Sequence, residues 1–274
     1  MRKLRRNHRI GALMNILTER PNHIFTYNYF TERFNAAKST ISEDIVIAKE
    51  LVEELDLGCI ETISGAAGGV KFVPKMSKER TKEFLVELSD KFKEKDRLLT
   101  GGFIYMTDIL YSPNIANCIG KVFASKFLTE EIDYVVTVET KGIPISMMTA
   151  QALDVPLVII RRNARVTEGP TVSINYVTGS TKKIQTMSLS RRAIKEGSKV
   201  LVVDDFMKAG GTAKGIQDMM KEFKADVAGI GVLIATEEPK KKLVDNYISL
   251  LTLKGIDEEK QEIYIEPNLD ILEG

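Results

Sequence analysis

Residues 200–213, VLVVDDFMKAGGTA, carry the strongest sequence signal for the fold of the larger part of the chain. This stretch opens with a continuous β-branched and apolar run, Val200–Val203, which is typical of a strand buried in a parallel sheet. Two acids, Asp204 and Asp205, follow directly, and Gly210–Thr212 then opens a segment with apolar residues at helical spacing. This order predicts a strand-to-helix connection in an α/β sheet.

The same loop has the composition of a phosphate site. Glycines let backbone amides approach a ligand closely, and the N-terminus of a helix favours an anion. Thr212 adds a hydroxyl donor, and two neighbouring carboxylates suit the vicinal hydroxyls of a ribose or a hydrated Mg²⁺. If only the Asp-Asp pair or only the Gly-Gly-Thr stretch were present, an ordinary strand-to-helix turn with Asp204 and Asp205 as solvent-facing caps would be the preferred interpretation. The ordered combination instead predicts a cradle for ribose 5-phosphate.

Further apolar runs with the character of strands surround this stretch. They are Phe103–Tyr105, Tyr134–Val138, Pro156–Ile160, Ile174–Val177, Ile184–Ser188 and Val227–Ala235. Helical segments recur between several of these runs, so we expect a mostly parallel sheet with helices on both faces. In such sheets ligands bind beyond the carboxyl ends of the strands.

Residues 1–74 have a different pattern. Apolar residues at helical spacing predict three short helices: the first ends before Pro21, Thr26 caps the second, and a capping box at Thr40–Glu43 begins the third. The expected buried stripe of the third helix is Ile41, Ile45, Ala48, Val52 and Leu55. Alternating residues at 60–63 and 70–73 flank a glycine-rich turn and predict a hairpin. This is the order of a winged helix-turn-helix.

A winged helix places its third helix in the major groove of DNA. The candidate DNA contacts are cations and hydroxyls: Arg2, Lys3, Arg5, Arg6, Lys38, Ser39, Thr40 and Lys71. We expect the basic start, Arg2–Arg9, to neutralise phosphates and make the affinity salt-dependent. Glu43 and Asp44, in the first turn of the third helix, would be repelled by phosphate unless they point inward, accept a hydrogen bond from cytosine or mainly serve the helix dipole. A three-helix protein-interaction module with solvated charges is the alternative.

Length and composition limit the remaining choices. The chain has 274 residues, 43% hydrophobic and 28% charged, with a net charge of +1. These values are typical of a globular protein of about two domains. We expect a DNA-binding domain at 1–74, a linker helix at 75–97 and an α/β domain at 98–274.

Several classes of protein are excluded. No apolar run approaches the roughly 18 residues of a membrane span, and the basic start lacks a signal-peptide cleavage site. Cys59 and Cys118 lie too far apart for a disulfide scaffold or a cysteine zinc site, and with two histidines we expect no histidine-dependent catalysis. A cytoplasmic protein with no membrane partner is therefore expected.

The stretch Val202–Thr212 resembles the phosphoribosyl pyrophosphate (PRPP) motif of type I phosphoribosyltransferases. Glu139–Ile143, after a predicted strand, resembles the pyrophosphate loop of that family, and about Arg165–Lys183 corresponds to its mobile flap. The resemblance covers roughly residues 98–274. It implies that PRPP is bound by Asp204, Asp205, Phe206, Lys208, Ala209, Gly210, Gly211, Thr212, Thr140, Lys141 and Gly142. Lys182, Lys183, Arg191 and Arg192 are more typical of a solvated face.

A winged helix ahead of such a domain resembles the purine biosynthesis operon repressors of Gram-positive bacteria. This resemblance implies a homodimer that binds double-stranded operator DNA and is released by PRPP, which acts as an effector and is not turned over. Guanosine tetraphosphate or a related nucleotide would compete for the same pocket. Mg²⁺ would contact Asp204 and Asp205 indirectly, and no catalytic residue is expected.

Two other functions stay open at this stage. One is an active purine phosphoribosyltransferase, of the xanthine or adenine type, with an accessory N-terminal domain. The sequence shows no clear apparatus for its second substrate, and pyrophosphate release with a purine base would identify it. The other is a regulator whose first domain only dimerises. Loss of operator binding on Lys38→Ala or Arg5→Ala would argue against that function.

Overall fold

The structure is a computed structural model that describes residues 4–65, 68–163, 169–178 and 183–273. The chain divides into two compact units, Met1–Ser77 with Gln151–Asp154 and Lys78–Ala150 with Val155–Gly274. Among the helices in the described ranges, none combines the length and the apolar character that crossing a bilayer requires.

The first unit has the winged-helix order that the sequence predicts. It contains α1 (Arg6–Glu19), α2 (Tyr27–Phe34), α3 (Lys38–Glu54), β1 (Cys59–Ile63) and β2 (Gly69–Val73). The two strands pair antiparallel, with Cys59 opposite Val73. Thr26 caps α2 as expected, because its hydroxyl accepts a hydrogen bond of 3.2 Å from the amide of Tyr29.

Two expectations for α3 are wrong. The helix begins at Lys38 after Ala37, whose side chain makes no capping hydrogen bond. The amide of Ile41 already donates to Ala37 O at 3.1 Å, so Thr40–Glu43 lies inside the helix and forms no capping box. Leu55 follows the last helical residue and is 55% exposed, so it leaves the buried stripe that Ile41, Ile45, Ala48 and Val52 form.

A buried ion pair joins α1 to α3. Asp44 is fully buried, and its carboxylate accepts hydrogen bonds from Arg9 Nε at 2.6 Å and Arg9 Nη2 at 3.1 Å. Arg9 Nη1 also donates to Leu4 O at 2.9 Å, and the bond to Asp44 raises the pKa of Arg9. Next to this pair, Arg6 donates to the exposed Glu43. Asp44 therefore points inward, and Arg9 is bonded inside the fold rather than directed at phosphate, contrary to the expectation for the basic start.

The rest of the chain forms an α/β structure. Its elements are α4 (Lys78–Phe92), β3 (Leu98–Leu99), β4 (Phe103–Ile104), α5 (Thr107–Leu110), α6 (Pro113–Lys126), β5 (Tyr134–Val138), α7 (Ile143–Leu153), β6 (Leu157–Ile160), β7 (Thr171–Val177), β8 (Ile184–Ser190), β9 (Lys199–Met207), α8 (Gly211–Glu222), β10 (Asp226–Thr236), β11 (Tyr247–Asp257) and β12 (Glu262–Pro267). The helix α4 packs against β11, β12 and a final 3₁₀ turn at Leu269–Leu272. It buries Leu85, Leu88 and Phe92.

Six strands form the central sheet in the order β12-β11-β10-β9-β5-β6. Every neighbouring pair is parallel except β11–β12, which confirms the mostly parallel sheet. Three predicted strands do not belong to it. Phe103–Tyr105 contributes to the small β3–β4 hairpin, and Ile174–Val177 and Ile184–Ser188 belong to the antiparallel β7–β8 hairpin. Strands β7 and β8 are only partly buried, so they need no helices packed on both faces, unlike the strands of a parallel sheet.

The order of the strands creates a crevice between β5 and β9. The chain leaves β5 through α7 to reach β6 on one side, and it leaves β9 through α8 to reach β10 on the other. Such a reversal places the binding crevice of a doubly wound sheet at the carboxyl ends of these two strands. Helices cover both faces: Phe123 of α6 and Phe127, which directly follows α6, lie against glycines of β10, whereas Ile216 of α8 belongs to the same buried cluster as Val202 of β9.

The buried ion pair predicts an asymmetric effect of two neighbouring substitutions. Asp44→Asn leaves the Arg9 guanidinium buried without an ionised partner, so the first unit should lose roughly 3 kcal/mol of stability. Glu43→Gln removes only an exposed pair and should cost less than about 1 kcal/mol. Hydrogen exchange of the amides in α1 and α3 of the full chain measures both. Equal effects of the two substitutions would contradict the structural role of the pair.

Candidate functional site

The crevice opens because β5 and β9 pair over only part of their length. Their register ends at Val136 and Val202, although β5 continues to Val138 and β9 to Met207. Strand β9 is thus longer than predicted, and Asp204 lies within it, opposite Val232 of β10. The unpaired edge of β9 beyond Val202 therefore faces the crevice.

Asp204 and Asp205 form a half-buried acidic pair on this edge. Asp204 Oδ1 accepts a hydrogen bond of 2.9 Å from the amide of Asp205. Burial, and then the neighbouring Asp205 carboxylate, raise the pKa of Asp204 well above its ordinary value. The pair therefore favours a partner that supplies positive charge or hydroxyl donors, because either one stabilises the ionised carboxylates.

The loop after β5 is anchored on both sides of the crevice. Glu139 Oε2 lies 3.2 Å from Arg161 Nη1, and Glu139 Oε1 accepts from the amide of Arg162 at 2.9 Å. On the other side, the Ser146 hydroxyl lies 2.7 Å from Gly142 O and 3.1 Å from Val203 O of β9. The loop is therefore fixed between β6 and β9, while the side chains of Thr140 and Lys141 remain exposed.

Gly142 brings this loop into contact with the acids. A Cβ atom on Gly142 would lie 2.9 Å from Asp204 Oδ1 and 2.8 Å from Thr137 Oγ1, closer than side chains normally approach. Only glycine allows this approach. Thr137 is fully buried, and within the described parts of the chain its hydroxyl has no hydrogen-bond partner. Sequence reasoning missed Thr137, because it lies inside an apolar strand.

The loop after β9 turns its backbone around a glycine. Gly210 adopts a φ of +80° and immediately precedes α8, so the glycine-rich stretch opens a helix as predicted. Lys208 is exposed, and its carbonyl accepts a hydrogen bond of 2.6 Å from Lys242 Nζ. Lys242 was also missed, because a run of three lysines is typical of a solvated surface.

The β7–β8 hairpin packs on the helix that follows this loop. Tyr176 of β7 lies against Gly215 of α8, where a Cβ atom would be 3.0 Å from the tyrosine ring. The phenol donates to Gln185 Oε1 at 2.8 Å. Burial raises the pKa of Tyr176, and Arg162 and the Thr212 hydroxyl act in the opposite direction. The hairpin therefore contacts α8, the helix that follows the glycine loop, through a residue near the turn of the hairpin.

Parts of the predicted flap and of the basic start cannot be placed. Residues 164–168 and 179–182 of the flap, and Arg2 and Lys3, lie outside the described residues. Lys183, Arg191 and Arg192 are exposed.

The predicted DNA contacts of the first unit fall into two groups. Lys38 and Ser39 are exposed at the start of α3, Thr40 is half-buried next to them, and Arg5 is exposed ahead of α1. Lys71 is different, since its ammonium lies 3.2 Å from Glu61 Oε2 and 3.3 Å from Asn22 Oδ1. The charge of Lys71, like that of Arg6, is therefore already paired within the domain.

The donor set for a metal consists of the two neighbouring acids. Within the ranges that the structure describes, no three His, Cys, Asp or Glu residues cluster closely enough to hold a metal ion. Two carboxylates fit a hydrated Mg²⁺ that oxygens of a phosphorylated ligand also coordinate.

Comparison with known proteins assigns both parts of the chain. Residues 5–74 match the N-terminal domain of the bacterial purine repressor, and residues 106–269 match the phosphoribosyl transferase domain. Adenine phosphoribosyltransferase from Thermoanaerobacter pseudethanolicus superposes with a TM-score of 0.52 at 21% identity. That comparison covers 61% of this chain and 99% of the enzyme, and it shows the fold alone.

Relatives at higher identity match over almost the whole length. The purine biosynthesis transcriptional repressor PurR of Bacillus subtilis (strain 168) is 48% identical, over 96% of this chain and 93% of that protein. The probable purine biosynthesis transcriptional regulator PurR of Streptococcus pneumoniae serotype 4 is 43% identical, over 96% of both chains. The chain therefore belongs to the bacterial purine repressor family of transcriptional regulators, in which a DNA-binding winged helix precedes a phosphoribosyltransferase-like domain.

Proposed function

We propose that this chain is a homodimeric repressor of purine biosynthesis genes that binds operator DNA through its winged helix. PRPP binds in the crevice between β5 and β9 and releases the protein from the DNA. The observation that carries the PRPP assignment is the contact of Gly142 with Asp204. It brings a pyrophosphate-type loop, a diol-binding acidic pair and a phosphate-type loop around one crevice.

Each part of PRPP has a matching group in this crevice. The amides at Ala209–Thr212, at the start of α8, suit the 5-phosphate, because a helix N-terminus favours an anion. Asp204 and Asp205 suit the two ribose hydroxyls as acceptors. The Thr140–Gly142 backbone and the exposed Lys141 suit the pyrophosphate. Phe206 is half-buried opposite Ile234 of β10, which favours packing over stacking on a base.

Two further ligands belong to the same proposal. Mg²⁺ would accompany PRPP, held by its pyrophosphate oxygens, with Asp204 and Asp205 as indirect partners. When bound it would neutralise part of the charge of the polyanion. Guanosine tetraphosphate or a related nucleotide would compete for the same phosphate-binding groups, because it also combines a ribose with diphosphates.

We infer that PRPP is an effector and is not turned over. The relatives that match along the whole chain are named as transcriptional regulators, which supports this inference. Holding PRPP requires only the two loops and the acids, whereas a transferase must also orient a nucleophilic base at the reacting carbon. Pyrophosphate release from PRPP with adenine, hypoxanthine, guanine or xanthine would contradict it.

DNA binding is best explained by the exposed end of α3. Lys38, Ser39 and Thr40 would contact base edges and phosphates, and Arg5 would neutralise a phosphate from the N-terminal side. Arg6 acts differently, because it neutralises Glu43 and thereby reduces the repulsion between α3 and DNA. A homodimer would read a palindromic operator through its two-fold symmetry.

Release from DNA requires that PRPP bind the conformation that binds DNA more weakly than the conformation that does not. This is tested by fluorescence anisotropy on purine-operon upstream DNA, with and without PRPP and Mg²⁺. We expect wild type to bind in the range of roughly 10⁻⁸–10⁻¹¹ M and to be weakened by PRPP. Asp204→Ala should bind DNA equally well and ignore PRPP, because it lacks one acceptor for the ribose.

The matched control is Asp226→Ala, which removes an exposed acid at the first residue of β10, at the amino ends of the strands and away from the crevice. It should respond to PRPP like wild type. A wild-type complex that PRPP does not weaken, or an Asp204→Ala complex that PRPP still releases at the same concentration, would contradict the proposed site.

A second substitution tests the contact between the loops. Gly142→Ala places a methyl group against Asp204 and Thr137, so one of them or the loop must move. We expect the PRPP concentration for half-release to rise about tenfold or more, with DNA affinity unchanged. Gly255→Ala is the control, since the nearest atom to its added Cβ, from Tyr264, is 4.0 Å away. If Gly142→Ala is half-released from DNA at the same PRPP concentration as wild type, the two loops do not act on one ligand.

A further inference from the structure

One of three consecutive lysines between β10 and β11 is buried. Lys240 and Lys241 are exposed, whereas Lys242 is 9% exposed. Its ammonium donates to Lys208 O at 2.6 Å and Thr236 O at 2.7 Å, and it lies 3.3 Å from Thr236 Oγ1. Three oxygens thus match the three donors of the ammonium.

The partners of this cation are backbone and hydroxyl oxygens. Among the residues that the structure describes, the oxygens bonded to Lys242 Nζ are those of Lys208 and Thr236, and no carboxylate is among them. Burial lowers the pKa of Lys242, and the more distant Glu238 carboxylate acts in the opposite direction. A buried cation without an ionised partner costs free energy, and its shortest hydrogen bond reaches the phosphate loop.

The geometry of the peptide group shows what this bond does to the loop. The peptide bonds after Lys208 and Ala209 are trans, so each carbonyl points away from the amide N–H of the same peptide group. Lys242 Nζ holds Lys208 O, and the amide of Leu243 holds Ala209 O at 2.9 Å. Both carbonyls therefore point toward the segment 242–243.

The amides of the same two peptide groups belong to Ala209 and Gly210, and they point to the opposite side. Among the described residues, neither amide has a hydrogen-bond acceptor. Two adjacent free N–H groups ahead of a helix form a concave donor surface that suits an anion. A cation on the carbonyl of a peptide group also polarises it and strengthens donation from its N–H.

We propose that Lys242 is a positioning residue of the phosphate site: it turns and polarises the amide of Ala209 toward the 5-phosphate, beside the Gly210 amide that the bond from Leu243 orients, without touching the ligand. This inference rests on the proposed function of the crevice. It separates the 5-phosphate end of the site, which depends on Lys242, from the pyrophosphate end at Thr140–Gly142, which does not.

Calorimetric titration of the full chain with three ligands tests this separation. Lys242→Met keeps an unbranched apolar side chain, one atom shorter, and removes the three donors. It should weaken binding of ribose 5-phosphate and of PRPP about tenfold or more, and leave inorganic pyrophosphate unchanged. Lys241→Met, the same substitution at the exposed neighbour, should bind all three ligands like wild type.

A milder variant is used if Lys242→Met does not fold. Operator binding in the absence of ligand is the check for folding. Thr236→Val removes the hydroxyl that accepts from the ammonium and that also lies 3.2 Å from Lys208 O, and it should weaken ribose 5-phosphate binding about threefold with pyrophosphate unchanged. Unchanged ribose 5-phosphate affinity in the folded variants would overturn the proposal. An equal loss for all three ligands would also overturn it, because it indicates general support of the fold. Wild-type chain that binds none of them would instead refute the proposed function.

Discussion

The close approach of the loop after β5 to the edge of β9 is the constraint on which the α/β domain depends. The two strands part beyond Val136 and Val202, and Gly142 then returns to within contact of Asp204. Ser146 reinforces the approach, because its hydroxyl contacts carbonyls of both segments. Since the strand order reverses at this place, the crevice results from the topology, and the residues on its rim determine what it binds.

The winged helix resolves the apparent conflict between acids in α3 and binding to a polyanion. Asp44 is directed into the domain, where Arg9 neutralises it, and Glu43 is paired with Arg6. Arg6 and Arg9, which the sequence suggests for phosphate contacts, thus neutralise two acids of α3. Among the predicted DNA contacts that the structure describes, Lys38 and Arg5 are exposed cations outside these ion pairs, which places more weight on both.

The parts of the structure that a local pattern determines were predictable from the sequence. The strand, acid and glycine order identified the crevice at Asp204 and Gly210, and hydrophobic spacing identified the winged helix. The pairing of Asp44 with Arg9 was not predictable, because the two residues are 35 positions apart and their contact depends on helix packing.

Other features depend on tertiary contacts in the same way. Lys242 is read from sequence as one of three solvated lysines, and only the fold brings it behind the loop at Lys208. Thr137 gives no signal within an apolar strand. The strands β7 and β8 have strand-forming residues, but pairing rather than propensity decides that they form a separate hairpin.

The proposed function requires that one ligand, PRPP, contacts both loops of the crevice. The most direct measurement is a crystal structure of the full chain with PRPP and Mg²⁺. We expect the 5-phosphate at the amides of Ala209–Thr212, the ribose hydroxyls at Asp204 and Asp205, and the pyrophosphate at Thr140–Gly142. A crevice without ligand at saturating PRPP, or PRPP bound elsewhere on the chain, would contradict it.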